Sequence, residues 1–330
     1  MSKAFHRGMI AASGIALGGI FLVLAFAQYD PEQFANALAN FNRRDLVIAV
    51  SCYWAALGLR VVRWHLLLKQ FQSIPVSAVA EALLVGYAAN NVIPARLGEL
   101  VRADYAKARM RISRSTLLGS IVVERVLDLT MILGFFAYGL IAAMAIIERT
   151  QLTLFKLIFA NAIIVLAVVW FVIRFIKRRG SNQSSSHWNR VFRDLSVGFG
   201  ALNPRSVGLA MMLSAGIWAG ELAALFFIFI ALGVSLSLAQ LTLLSGVASL
   251  STLIPTAPGY LGSYQLVFAY TLQAFAASET LGLAASVLVQ TGLFGSVTVV
   301  GIVLYFVRMF RDLKSGHHPT KISSREHANG

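Results

Sequence analysis

Charge is scarce in this sequence. Only 13% of its 330 residues are charged, while 58% are hydrophobic. A soluble domain carries about a quarter charged residues, so a water-soluble globule is excluded. Cysteine is almost absent: Cys52 is the single one, set inside an apolar run, and a disulfide framework is excluded with it. The six histidines are scattered, with only His317 and His318 adjacent. No His/Cys/carboxylate spacing suits a metal, and neither a metal nor a cofactor is expected. A nucleophile elbow, a P-loop, a dinucleotide fingerprint and a zinc motif are all missing, so no catalytic residue is assigned. The ten-residue alternating segments of a membrane barrel are missing too.

What the chain has instead is apolar length. Runs at 8–28, 46–68, 115–147, 152–176, 207–232 and 281–307 reach or approach the roughly 20 residues that cross a hydrocarbon core as a helix. Three shorter runs, 77–93, 238–254 and 264–277, do not. The fold class is therefore an all-α polytopic membrane protein. Six to eight transmembrane helices are expected, including two re-entrant or broken elements. The first run follows Lys3 and Arg7 and is longer than the apolar core of a signal peptide, so it reads as an uncleaved span.

The net charge of +14 falls in short clusters between the runs. Such clusters mark cytoplasmic loops facing anionic headgroups, and no soluble basic module offers itself to nucleic acid. The N-terminus, 96–114, 177–205 and 308–314 are expected on the cytoplasmic side of the inner membrane. The stretch 233–307 has Glu279 as its one charged residue and should face outward where it leaves the bilayer. Residues 1–310 form one integral membrane domain, with halves at about 1–176 and 206–310 joined by a cytoplasmic loop at 177–205. A polar cytoplasmic tail occupies 311–330.

The halves carry similar breaks. Val92-Ile93-Pro94-Ala95-Arg96-Leu97-Gly98 and Leu253-Ile254-Pro255-Thr256-Ala257-Pro258-Gly259 share Ile-Pro-x-x-x-Gly after a short apolar run with a glycine upstream, Gly86 and Gly246. The charge bias sets them on opposite sides of the membrane. Inverted repeats with broken helices that meet around a substrate are a transporter pattern. Asn91 precedes the first break. Pro94 and Gly98, with Pro255, Pro258, Gly259 and Gly262, are expected to form the hairpin tips and gates. Free amides at the start of the helix near Ser263 suit an anion.

Ionisable residues inside apolar runs are functional candidates by default. Glu124, Arg125 and Asp128 interrupt the run 115–147, with Glu124 and Asp128 on one face. They suit either a buried polar site or a water-accessible elbow between two helices. Arg125 can pair with Asp128, or with Glu99 or Glu81. Arg96 and Arg102 suit a lipid phosphate, because guanidinium offers it a two-pronged fork. Glu99 and Arg102, three apart, can pair on one helix face. The same residues also suit an ordinary helix end with snorkelling arginines. Arg60, Arg63 and Trp64 close the second run as an interfacial anchor, with Arg60 a further contributor to a headgroup pocket. Glu221, alone in an apolar run, is a candidate for proton coupling.

Three motifs occur in order: Asn-x-x-x-Pro-x-Arg-x-Gly-Glu-x-x-Arg at 90–102, Glu-Arg-x-x-Asp at 124–128 and Pro-x-x-Pro-Gly-x-x-Gly at 255–262. Together they resemble the membrane region of lysylphosphatidylglycerol synthases, which also occurs alone in flippase-like membrane proteins. The resemblance covers residues 8–310. It implies handling of a membrane lipid or lipid-linked precursor, with envelope-biosynthesis enzymes as candidate partners. The synthases add a soluble aminoacyl-transfer domain that has no counterpart in these residues, so synthase activity is not expected of them. The function expected is therefore binding and transbilayer movement of an anionic lipid. The alternative is a membrane enzyme or accessory subunit of lipid, hopanoid or glycolipid biosynthesis. Neither the lipid nor the oligomeric state is specified by the sequence.

Overall fold

The computed structural model describes residues 15–27, 29–93, 97–147, 149–180, 187–199, 204–254 and 256–314. Among these residues the structure is helical, with no strand. The helices are α1 (Ile15–Ala25), α2 (Pro31–Asn40), α3 (Arg43–Leu68), α4 (Val76–Val92), α5 (Gly98–Met110), α6 (Arg114–Ala142), α7 (Arg149–Gly180), α8 (His187–Phe199), α9 (Pro204–Ala231), α10 (Leu238–Ser251), α11 (Ser263–Ala274), α12 (Glu279–Leu288) and α13 (Gly295–Lys314). One π-helical turn, Val289–Phe294, fuses α12 to α13 into a single rod.

Four of these segments are long and apolar enough to cross a membrane: α3, Arg149–Ile176 of α7, Ser206–Ala231 of α9, and the rod Glu279–Leu313. The 29-residue α6 matches them in length but carries Glu124, Arg125 and Asp128. It is one continuous helix, so the elbow reading of 115–147 is set aside. Of the first expected span, the structure describes only the part from Ile15. Two helices were not anticipated. The ten-residue α2 is capped by Asp30, whose side chain accepts from the Glu32 and Gln33 amides. The amphipathic α8 lies within 187–199 and packs on α6 and α7. Both are short, with half-polar faces, and hydropathy runs do not register them.

The break after α4 follows local rules. Ile93, before Pro94, is extended at φ −95°, ψ 128°, as the residue preceding a proline should be. The chain then turns back as α5, which lies along α4. The arms touch backbone to backbone: a Cβ on Gly98 would fall 2.3 Å from the Gly86 carbonyl oxygen. The Gly98 amide donates to Asn90 Oδ1 at 2.8 Å. In the second hairpin, α10 and α11 are joined through a 3-10 turn, Pro258–Tyr260, with Gly259 and Gly262 at positive φ.

Packing relates the two halves. Helices α3 and α9 run antiparallel, with Gly220 against Ala56 and Cys52 and Gly216 against Leu59. On the rod, α4 packs with Gly301 against Leu84 and Ala88. On α6, α10 packs with Gly139 against Ala239 and Leu243. Exchanging α3 with α9, α4–α5 with α10–α11, and α6 with the rod carries each packing onto another that is present. That is the relation an inverted repeat requires. In contrast, only 6% of the apolar stretch of α7 is buried, so most of its circumference is left uncovered by the rest of the described residues.

Candidate functional site

Four helices bring ionisable side chains into one buried cluster. From α3 come Arg60 and Arg63, three residues apart and hence on one side. From α6 come Glu124, Arg125 and Asp128. From α5 come Glu99 and Arg102, and α9 supplies Glu221. The interfacial-anchor reading of Arg60 and Arg63 is corrected here: their side chains are 7% and 0% exposed. A hydropathy run hides this, because the carboxylates that neutralise them come from other helices.

Asp128 is the centre. Arg60 Nη1 donates to its Oδ2 at 3.1 Å and Arg63 Nη1 to its Oδ1 at 2.7 Å. Arg125 Nη1 lies 3.5 Å from Oδ2. One turn earlier, Glu124 lies between Arg102 Nη2 at 2.8 Å and Arg63 Nη2 at 3.6 Å. Arg60 also donates to Glu221 through Nε at 3.2 Å and through Nη2, and Arg63 donates to Ser214 Oγ at 2.7 Å. Arg125 Nε meets Glu99 Oε1 at 3.2 Å. The four guanidinium groups thus face four carboxylates, and the cluster is neutral. Burying ions at this depth is costly unless each is paired and hydrogen-bonded.

Glu99 and Arg102 do not pair with each other. Glu99 takes Arg125, and Arg102 takes Glu124. Glu81 instead pairs with Arg109, at 3.5 Å. Arg102 is sandwiched: its guanidinium lies 3.5 Å from the centroid of the Trp64 ring, and its Cβ is 2.6 Å from where a Cβ on Gly86 would stand. Trp64 is itself fixed by donating to Ser120 Oγ at 3.1 Å.

The cluster forms the floor of a chamber of about 140 Å3. Its walls include Tyr53, Tyr87, Asn90, Asn91 and Gly98 together with Trp218, Tyr260, Tyr264 and Phe294. The two hairpin tips meet here: a Cβ on Gly259 would stand 3.4 Å from the Asn91 carbonyl oxygen. Both tips are bonded to the rod. Asn91 Nδ2 donates to Thr298 Oγ1 at 2.8 Å and to the Phe294 carbonyl at 3.3 Å, and Gln290 Nε2 donates to the Gly259 carbonyl at 2.9 Å. Gln290 and Phe294 belong to the π turn itself, a distortion that recurs at functional sites, and Thr298 lies one turn beyond it. At the anion site expected near Ser263, one amide is already engaged. The Gly262 amide is already accepted by Gln265 Oε1 at 2.8 Å, and Ser263 Oγ donates to the Tyr260 carbonyl.

A second cavity, of about 240 Å3, adjoins the first between α6, α7 and α10. Both share Glu99, Arg125, Asp128, Ile132, Ser249 and Thr252. Its remaining lining is Val126, Leu129, Val165, Val169 and Leu253, all apolar.

Of the residues singled out in the sequence, Arg60, Asn91, Gly98, Glu99, Arg102, Arg125, Asp128 and Glu221 line the chamber, and Glu124 lies buried behind it. Gly259 and Tyr260 bring the second tip to it, and Pro258 and Gly262 flank that turn. Pro94, Arg96 and Pro255 lie outside the described residues. The chamber aromatics and Gln290 were not anticipated, because aromatic residues within apolar runs carry no sequence signal of facing a cavity. Among the described residues no group of His, Cys, Asp and Glu could hold a metal ion.

A helical integral membrane protein with a buried, neutral ion cluster between two broken hairpins is the class these features define. The chain belongs to the family described as the lysylphosphatidylglycerol synthase TM region, whose model matches residues 9–301. It is 22% identical to Glycosyltransferase AglD of Haloferax volcanii over 97% of this chain, and it spans 58% of that protein's length. It is 21% identical to a UPF0104 membrane protein of Pyrococcus horikoshii, covering 87% of this chain and 94% of the relative. A UPF0104 membrane protein of Methanothermobacter thermautotrophicus is 23% identical over 90% of this chain and 94% of its own length.

Proposed function

We propose that this protein binds a lipid or lipid-linked precursor with an anionic headgroup in the cytoplasmic membrane and carries the headgroup between leaflets. The observation that carries the reading is the meeting of the two hairpin tips over a chamber of about 140 Å3 that is lined by charged and polar side chains within an apolar helical bundle. Short helices that end inside the bundle provide polar backbone at membrane depth, which is tolerated where it lines a cavity. The Lys/Arg distribution supports cytoplasmic termini, with the α4–α5 hairpin entering from the cytoplasm and α10–α11 from outside. On this reading Arg60, Arg63 and Arg102 are the frame of the site, because their charges are already taken by Asp128, Glu124 and Glu221. Arg125 and Glu99, the more exposed members, are the ones that meet substrate.

A second reading is an accessory or enzymatic role in glycolipid biosynthesis, favoured by the name of the Haloferax relative. An acid/base role for Glu124 and Asp128 is poorly served by the geometry, since both are buried and held by arginines. The two readings separate in proteoliposomes holding a fluorescent phosphatidylglycerol, with leaflet exposure followed by an impermeant quencher and lipid chemistry by mass spectrometry. Faster exposure with unaltered lipid mass is expected. Exposure no faster than in protein-free vesicles overturns the transport reading, and an altered lipid mass establishes an enzyme.

A further inference from the structure

We propose that the apolar groove between α6, α7 and α10 seats the hydrocarbon chain of a phospholipid drawn from the surrounding bilayer, and that Arg125 takes its phosphate at the neck of the chamber. This rests on the lipid-handling reading above, and adds to it a lateral route and an anchor.

Three observations converge on that seat. First, the groove is largely apolar and is walled by α7, the least covered of the four helices long and apolar enough to cross a membrane. Val165 and Val169 line the groove, and Val165 is itself exposed, as are Ile164 and Val168 beside it on the same helix. An occupant of the groove therefore comes from lipid rather than from water. Second, among the described residues the only ionisable ones shared by groove and chamber are Glu99, Arg125 and Asp128. A molecule lying across both cavities has its apolar part on one side of these residues and its polar part on the other. In a phospholipid the phosphate stands at that junction.

Third, the arginines of the cluster are unequally committed. The side chains of Arg60, Arg63 and Arg102 are at most 7% exposed, and each is held by buried carboxylates. Those of Arg125 and Glu99 are 36% and 33% exposed, although the Nε that meets Glu99 is itself buried. A pair reached by solvent on one side exchanges more readily than one enclosed on all sides. A phosphate arriving through the groove thus finds one guanidinium whose partner it can replace, and the fork of Arg125 suits it. Asp128 keeps Arg125 aligned from the buried side. Glu99, once released, faces the chamber as an acceptor for donors on the headgroup.

The test uses the full chain in nanodiscs with phosphatidylglycerol carrying a diazirine near the end of one acyl chain. Diacylglycerol with the same chain and diazirine serves as the phosphate-free control. Labelled peptides are mapped after illumination. Labelling by the phospholipid is expected within 126–132 of α6 and at Val165 and Val169 of α7. Glu99→Gln should raise phospholipid labelling several-fold while leaving diacylglycerol labelling unchanged, because it removes the competitor of the phosphate. A gain cannot come from misfolding. Arg125→Gln should lower phospholipid labelling by about tenfold, as loss of a charged hydrogen bond implies. Labelling confined to the exposed flanks of α7 and α13, or an unchanged ratio of the two lipids in both variants, overturns the proposal. Groove labelling without leaflet exchange leaves the seat standing and overturns transport alone. Exchange without groove labelling does the reverse.

Discussion

The Arg102 guanidinium lies flat against Trp64, 3.5 Å from the ring centroid, while its Nη2 reaches Glu124 at 2.8 Å. The charge is thereby held on one side by a π face and on the other by a carboxylate, and it ties the first hairpin to α3 and α6 at once. A lysine at this position keeps the charge and loses both the plane and the fork. Arg102→Lys is expected to lower stability by about 1–2 kcal/mol, read as a drop in Tm in detergent. Equal melting of the two proteins would show that the stack contributes nothing.

Asp128 receives three arginines and Glu221 only one. In Asp128→Asn, Arg63 is left fully buried without its closest carboxylate. A loss of about 3–5 kcal/mol is expected, the range for breaking one partner out of a buried pair. In Glu221→Gln, Arg60 still holds Asp128, so the loss should be less than half as large. Equilibrium unfolding in mixed micelles ranks the two, and the reverse order would contradict the centre assigned to Asp128.

Much of this architecture is legible in the sequence, and the part that is not has a physical cause. Pro94 and the restricted residue before it announce the break after α4, and hydropathy announces the long spans. The partners of the charges are another matter. Glu124 and Asp128 share a face by helical spacing, yet spacing within α6 does not say that Arg60 and Arg63 of α3 will meet them. Those arginines follow an apolar run and look like its end, although they lie well inside the protein. Pairing of Glu99 with Arg102 is reasonable on one helix, but the carboxylates and guanidiniums of α6 compete and win. At the tip near Ser263, helix-start spacing does not say that Gln265 will turn back to accept from the Gly262 amide.

Gly86 and Gly58 make an internal comparison. A Cβ on Gly86 would stand 2.6 Å from Arg102 Cβ, whereas one on Gly58 meets nothing within 4 Å. Gly86→Ala is expected to destabilise by about 1–3 kcal/mol through overpacking. Gly58→Ala should be neutral or stabilising by up to about 1 kcal/mol, since alanine is the better helix former. Thermal melting of both variants checks the close approach of α4 and α5. A neutral Gly86→Ala would mean that the arms separate readily.

The opposed hairpins make a prediction about sidedness. In a Cys52→Ala background, Ser235→Cys sits on the exposed turn between α9 and α10, Asn36→Cys on exposed α2, and Ser113→Cys on the exposed turn between α5 and α6. Helix α2 is docked near the start of α12, with the Asp30 amide donating to Thr280 Oγ1 at 3.0 Å. An impermeant maleimide added to intact cells should label Asn36→Cys and Ser235→Cys and spare Ser113→Cys. Labelling of Ser113→Cys would reverse the orientation of the first hairpin.

The bonds from both hairpin tips to the α12–α13 rod have a mechanical consequence. Asn91 of one hairpin is tied at Phe294 and Thr298, and Gly259 of the other at Gln290, little more than two turns of the same helix. The rod is a common axle for both tips. A shift along its axis pulls on both in the same instant, so neither moves alone while those three bonds hold. Two of the attachments, Gln290 and Phe294, lie in the π turn itself, so the most loosely wound part of the axle is the part that carries both tips.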